Sequence, residues 1–159
     1  MSNSKNLKSL GSKKTEYKTD KPRPELLETF ENAHPDNLYL IPFVQERDEF
    51  TSLCPKTGQP DHAKLEIIYV PNKLCIESKS LKLYLFSFRQ HGEFHEDVCN
   101  TIANTLFNLL EPRFLRVFGN FAARGGLAIK PMVVRWEDNF EDYETDQVNT
   151  LVTSWDLRA

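Results

Sequence analysis

Residues 79 to 92, KSLKLYLFSFRQHG, decide the fold, because two periodicities coexist in them. Strict alternation of apolar and polar side chains fits a strand, yet Leu81, Tyr84, Leu85 and Phe88 also fall on one helical stripe at i, i+3, i+4 and i+7. Helix is the preferred reading, since Ser78 or Ser80 can cap its start and Gly92 can end it. Downstream, FHEDVCNTIANTLFNLLEP (94–112) is a clearer helix. It sets Val98, Ile102, Leu106, Leu109 and Leu110 on one face and places Pro112 just past its end.

Strand-like runs flank this helix pair. AKLEIIYVPNKLCIES (63–78) gives two runs rich in β-branched and aromatic residues, joined at Pro71-Asn72, which predicts a hairpin of 64–70 against about 73–77. RFLRVFGNF (113–121) and LAIKPMVVRW (127–136) predict a second hairpin, turned by AARGG (122–126). The order is therefore ββααββ, an α+β layer in which a four-stranded antiparallel sheet carries two helices on one face. Its free edges invite closure by further copies standing side by side, so a cyclic homo-oligomer is expected.

The remaining segments are simpler. Residues 1–24 are rich in Lys and Ser and poor in large apolar side chains, which predicts a mobile arm before a domain over 25–138. PELLETFENAH (24–34) reads as a short helix or turn. Residues 139–159 form an acidic tail, expected to be solvated, in which LVTSWDL (151–157) could dock on a neighbour.

Composition narrows the function. The 159 residues carry a net charge of -3, so no global basic field favours long nucleic acid or an anionic membrane surface as partner. No apolar run reaches the roughly 20 residues needed to span a bilayer, and the N-terminus lacks a signal-peptide core, which predicts a cytoplasmic protein. Cys54, Cys75 and Cys99 are an odd set without export signals, so reduced thiols are expected. His95 and Cys99 would share a helix face, but no CxxC or HxxxH spacing supports zinc, and no metal is assigned.

Three constellations could carry chemistry. Cys54 lies in the Gly/Pro-dense loop FTSLCPKTGQPD (50–61), reachable as a nucleophile, although a free cysteine is more usually a small buried hydrophobe. Asp61 closes that loop and could stand beside the thiol as a proton donor, or simply form a turn. In ESKSLK (77–82), Ser78, Ser80, Lys79 and Lys82 converge at a helix start that would welcome phosphate, unless the lysines are merely a wet helix face. Arg124 beside two glycines adds a further cation. Glu77 and Glu96 could each accept paired N–H bonds from a guanine-like edge, with His95 adjacent, although Glu96 also suits a helix N-terminus. No Rossmann or P-loop fingerprint is present.

FTSLCPKTGQPD, ESKSLKLYLFSFRQHGEFHED and RGG together resemble the 7-cyano-7-deazaguanine reductases, NADPH-dependent nitrile reductases of queuosine biosynthesis, over about Glu46 to Trp136. The resemblance implies the tunnelling fold and, for the short single-domain subclass, two stacked pentamers. It implies that Cys54 adds to the nitrile carbon to give a thioimidate and that Asp61 protonates the nitrogen. Ile76, Glu77 and Ser78 then match the substrate-contacting stretch, and His95 and Glu96 match the pair that holds the deazaguanine edge. Lys79, Lys82 and Arg124 are an extension to the NADPH phosphates. No role is assigned to Cys75 or Cys99. A zinc-dependent pterin-type cyclohydrolase and a purine-binding module without turnover are the competing expectations.

Overall fold

The computed structural model describes residues 17–138 and 142–157. Its elements follow in the order β1 (Thr29–Glu31), β2 (Ile41–Val44), β3 (Phe50–Leu53), β4 (Pro60–Val70), β5 (Leu74–Ile76), α1 (Ser78–Phe86), α2 (His95–Leu110), β6 (Phe114–Phe121), β7 (Met132–Trp136) and α3 (Asp142–Asp156). Single 3-10 turns over Pro24–Leu26 and Ser87–Gln90 precede β1 and extend α1.

The long strand β4 organises the sheet. On one side it pairs antiparallel with β6, from Ala63↔Phe121 to Val70↔Phe114, and β7 lies beyond β6. On its other side β3 pairs with its first half and β2 with its second. Side chains alternate across the pleat. Leu65, Ile67 and Tyr69 join Leu115 and Val117 in a core with the α1 stripe and with Val98, Ile102 and Leu106 of α2. The contested stretch 79–92 is thus helix, as its stripe predicts, and the two helices share one face of the sheet.

Capping of α1 differs from expectation. Glu77, not a serine, is the N-cap: its carboxylate accepts the Lys79 N–H at 2.8 Å and the Ser80 N–H at 2.6 Å, satisfying two amides that the first turn leaves open. The helix ends before Gly92, passing into the 3-10 turn at Ser87.

The hairpin expected between 64–70 and 73–77 does not form. Both edges of β4 are already occupied by β6 and by β2 with β3, so the chain leaves the sheet at Pro71 and β5 pairs instead with β1, as Thr29↔Ile76, Phe30↔Cys75 and Glu31↔Leu74. PELLETFENAH accordingly supplies a 3-10 turn and then strand β1. Alternation specified strands at 63–70 and 74–76, but not which strand each would find. The second hairpin is present, with Gly125 (φ 58°) and Gly126 (φ 84°) as the central pair of a tight turn closed by Arg124 and Leu127. Two consecutive positive φ values are what such a two-residue turn requires.

The tail is the larger departure. Instead of an acidic segment in solvent, residues 142–156 form α3, which covers the sheet face opposite α1 and α2. Val148 is fully buried against Ile68, Val70 and Phe114, with Val152 and Trp155 at i+4 and i+7 beside it. Arg116 of β6 rises on that face and pairs with Glu66 at 2.6 Å and Asp156 at 2.7 Å. Residues 139–141 and 158–159 lie outside the described residues. So do residues 1–16 of the expected arm, whereas Tyr17 packs its ring on Phe86 at 4.7 Å and the Gln90 N–H donates to the Thr19 carbonyl. Among the described residues no helix is long and apolar enough to cross a membrane.

Replacing Arg116 by Leu is expected to lower stability by about 2–3 kcal/mol, below the range for fully buried pairs because Asp156 is half exposed. Denaturant titration of both proteins checks this. The Arg116 hydrogen bonds hold the Asp156 carboxyl below its ordinary 3.8, so its contribution is present above that value and is lost as pH falls below it. An unchanged midpoint in Arg116→Leu would show that apolar packing alone seats α3.

Candidate active site

The Cys54 loop is tied down at several points. The Cys54 N–H donates to the Gln59 carbonyl, and the Cys54 carbonyl accepts from Gly58, both at 2.9 Å. Leu53 donates to the His91 carbonyl and accepts from Glu93, which fastens the end of β3 to the segment that leads into α2. That fastening brings Cys54 to the start of α2, forty residues further on.

The result is a cavity of about 360 Å³ lined by Cys54, Asp61, Glu93, His95, Glu96 and Arg124, with Pro55, Phe94 and Ile129 as its apolar walls. Asp61 is its most buried acid, 4% exposed. One carboxylate oxygen faces His95 Nε2 at 3.0 Å and also contacts the Arg124 guanidinium. Arg124 in turn donates to the carbonyls of Gln59 (3.1 Å) and Pro60 (3.0 Å), locking the loop's exit. The His95 ring stacks on Phe121 with centroids 4.0 Å apart, and its Nδ1 is buried without a hydrogen-bond partner. Glu96 is exposed at the cavity rim.

The three thiols differ sharply. Cys54 is half-buried and its thiol is lowered to about 7, chiefly by hydrogen bonding to the Thr57 hydroxyl, then by the peptide N–H groups of Thr57 and Lys56. Cys99 is buried in the core and burial pushes its thiol up to about 12, while burial also raises Cys75. A thiolate is the attacking form, so Cys54 is the one cysteine of the three poised for nucleophilic chemistry near neutral pH.

Four of the residues singled out in the sequence as catalytic or substrate-holding meet here: Cys54, Asp61, His95 and Glu96. Arg124 joins them rather than the lysines, since its guanidinium is spent on Asp61 and the loop carbonyls. Ile76, Glu77 and Ser78 do not. The Ile76 N–H donates to the Tyr69 hydroxyl, and Tyr69 and Asp61 lie eight residues apart on β4, about 26 Å at 3.3 Å per residue. Ser78, Lys79 and Lys82 instead rim a second cavity of about 380 Å³, floored by Phe43, Leu65, Ile67, Leu81 and Leu85.

Sequence reading passed over Thr57, Glu93 and Phe121. The Thr57 signal was legible, a hydroxyl three residues after a loop cysteine. Glu93, whose carboxylate accepts from Thr101 and faces His91 at 3.7 Å, and Phe121, on a distant strand, carried none.

Residues 60–139 match the family model described as QueF-like protein. The chain is 57% identical to the NADPH-dependent 7-cyano-7-deazaguanine reductase of Streptococcus thermophilus over 80% of its own length and 76% of the relative's. It is also 57% identical to the protein of that name from Neisseria meningitidis serogroup B, over 77% and 76%. The crystal structure of the apo archaeosine synthase QueF-Like superposes with a TM-score of 0.52 at 15% identity, covering 61% of this chain and 91% of that one, which shows a shared tunnelling fold. With 57% identity to such relatives over 77–80% of its length, and with a thiol and a buried carboxyl group lining one cavity, the chain belongs to the NADPH-dependent 7-cyano-7-deazaguanine reductase family.

Proposed function

We propose that this protein reduces the nitrile of 7-cyano-7-deazaguanine to the aminomethyl product, consuming two NADPH per turnover. The observation that carries the reading is Cys54, a loop thiol lowered to about 7 in a cavity that also holds Asp61. Attack of the Cys54 sulfur on the nitrile carbon forms the S–C bond and turns C≡N into C=N, and the proton given to nitrogen by Asp61 completes a neutral thioimidate. Breaking that S–C bond after the first reduction returns the thiol and leaves an imine in the same cavity. His95 and Glu96, at the rim, hold the deazaguanine edge.

The donor set for the cofactor fits. Lys79 and Lys82 stand over an apolar floor as cations for phosphate, with Ser78 beside them and Glu46 and Glu49 elsewhere in the same lining. When bound there, NADPH supplies the reducing equivalents. The two cavities share no residue, so in this reading the lysine-rimmed cavity of one copy completes the Cys54 site of a neighbouring copy, with Ile76, Glu77 and Ser78 as the substrate-contacting stretch that the resemblance implies. Two stacked pentamers are the assembly that the sequence resemblance implies, with a deazapurine as partner and no nucleic acid or membrane.

Mixing protein, nitrile and NADPH is expected to consume cofactor absorbance and yield amine in a 2:1 ratio, and absence of nitrile-dependent oxidation would overturn the reading. Lys82→Ala is expected to raise the KM for NADPH about tenfold, the loss of one phosphate contact, with kcat little changed. A raised KM for the nitrile instead would move Lys82 to the substrate side.

A further inference from the structure

We propose that Phe121, seated over Gly119, is the positioning residue that holds the His95 ring edge-on to Asp61. The inference rests on the reading of Asp61 as the proton donor and adds the device that supports it after the transfer. Once Asp61 has given its proton to the nitrile nitrogen, a carboxylate remains at a position only 4% exposed, faced by His95 Nε2 at 3.0 Å and by the Arg124 guanidinium. An imidazole can steady that charge only if its edge points at the oxygen.

The backbone of α2 does not fix that edge. The second side-chain torsion of histidine is broad and roughly two-fold, so the helix start sets where the ring stands but not how its plane lies. The face of Phe121 decides it, since the two rings stack with centroids 4.0 Å apart and planes 15° apart. Phe121 is itself held, meeting Phe50 edge-on at 6.3 Å. His95 Nδ1 is buried without a hydrogen-bond partner, so a neutral ring that carries its proton on Nε2 leaves no buried N–H unpaired and donates to Asp61.

Gly119 makes room for this platform. Four residues of helix rise about 6.0 Å and two residues of antiparallel strand about 6.8 Å, so α2 and β6 step past each other together. His95 over Phe121 is followed by Cys99 against Gly119. A Cβ at position 119 would lie 2.7 Å from Cys99 Sγ and 2.8 Å from Phe121 Cε2. Both are well inside the roughly 3.5–4.0 Å at which such atoms rest. Gly119 pairs in register with Leu65 and is not one of the glycines with positive φ, so close approach and not backbone freedom accounts for it. Cys99 thereby gains a part, as the spacer that sets α2 on β6.

The test compares full-length wild type with Phe121→Leu, which removes the flat face, and Gly119→Ala, which displaces it, each alone and on a His95→Ala background. Each is expected to lower kcat about tenfold alone and less than about twofold on the His95→Ala background, because the effect passes through the imidazole. A second readout needs no turnover. Diethyl pyrocarbonate, followed by mass spectrometry of the His95 peptide, is expected to modify His95 about tenfold faster in both single variants than in wild type, the release of one aromatic stack. Cys99, fully buried one turn further along α2, should stay closed to iodoacetamide in all of them. Equal kcat losses on both backgrounds overturn the proposal, as does an unchanged rate of His95 modification or a rise in Cys99 alkylation in step with it. Failure of both variants to fold would also overturn it, since Phe121 and Gly119 would then serve the core alone. Should His95 modification follow expectation while wild type oxidises no NADPH with nitrile, the platform stands and the assigned reaction fails.

Discussion

Cys54→Ala is expected to lower nitrile-dependent NADPH oxidation by at least about 10⁴-fold, the scale on which removal of an attacking group costs an enzyme its covalent route. The sulfur sits in a loop outside the hydrophobic cores, so the variant should fold and melt as wild type does. Substrate should still bind, since the groups that hold the deazaguanine edge are untouched. Intact-mass analysis of wild type incubated with nitrile alone should show a covalent adduct, and the variant none. Wild-type activity should rise with pH through about 7, because the thiolate is the reacting form and its fraction grows in that direction. Residual turnover above about 1% in Cys54→Ala would exclude a thioimidate and return the purine-binding and cyclohydrolase readings to contention.

Asp61→Asn is expected to reduce kcat by about 10²–10⁴, the range that general acid catalysis supplies. Asparagine keeps the shape of the side chain but carries no proton that it can give to an imine nitrogen. Because Asp61 is buried between His95 and Arg124, the substitution also leaves two donors facing an amide, a destabilisation of about 1–3 kcal/mol. Alkylation of Cys54 by iodoacetamide separates the two effects, since that reaction needs the thiolate and no acid. Persistence of alkylation with loss of turnover is the expected pattern. A variant that keeps more than about a tenth of wild-type kcat would remove Asp61 from the proton transfer.

Local pattern made much of the fold legible. The stripe Leu81, Tyr84, Leu85 and Phe88 distinguished helix from strand because a helix buries one contiguous face, and those four side chains lie together in the core. The glycine pair at 125–126 announced its turn because few other residues take positive φ twice in succession. Pairing was different. Nothing in 74–76 says that its partner is Thr29–Glu31, since that choice follows from β4 having no edge to offer. The acidic tail misled for a related reason: charge dominates its composition, while Val148, Val152 and Trp155 matter only once Ile68, Val70 and Arg116 present a matching surface.

The site divides in the same way. Sequence alone determined which residues could react, because Cys54 in a Gly/Pro loop, Asp61 at its close and the His95-Glu96 pair are chemical identities fixed by the chain itself. Only the tertiary structure decided who meets whom. It turned Arg124 onto Asp61 and set Ile76, Glu77 and Ser78 at the far end of β4. Reactivity is a property of functional groups, whereas proximity between residues forty or sixty positions apart depends on how every intervening strand finds its edge.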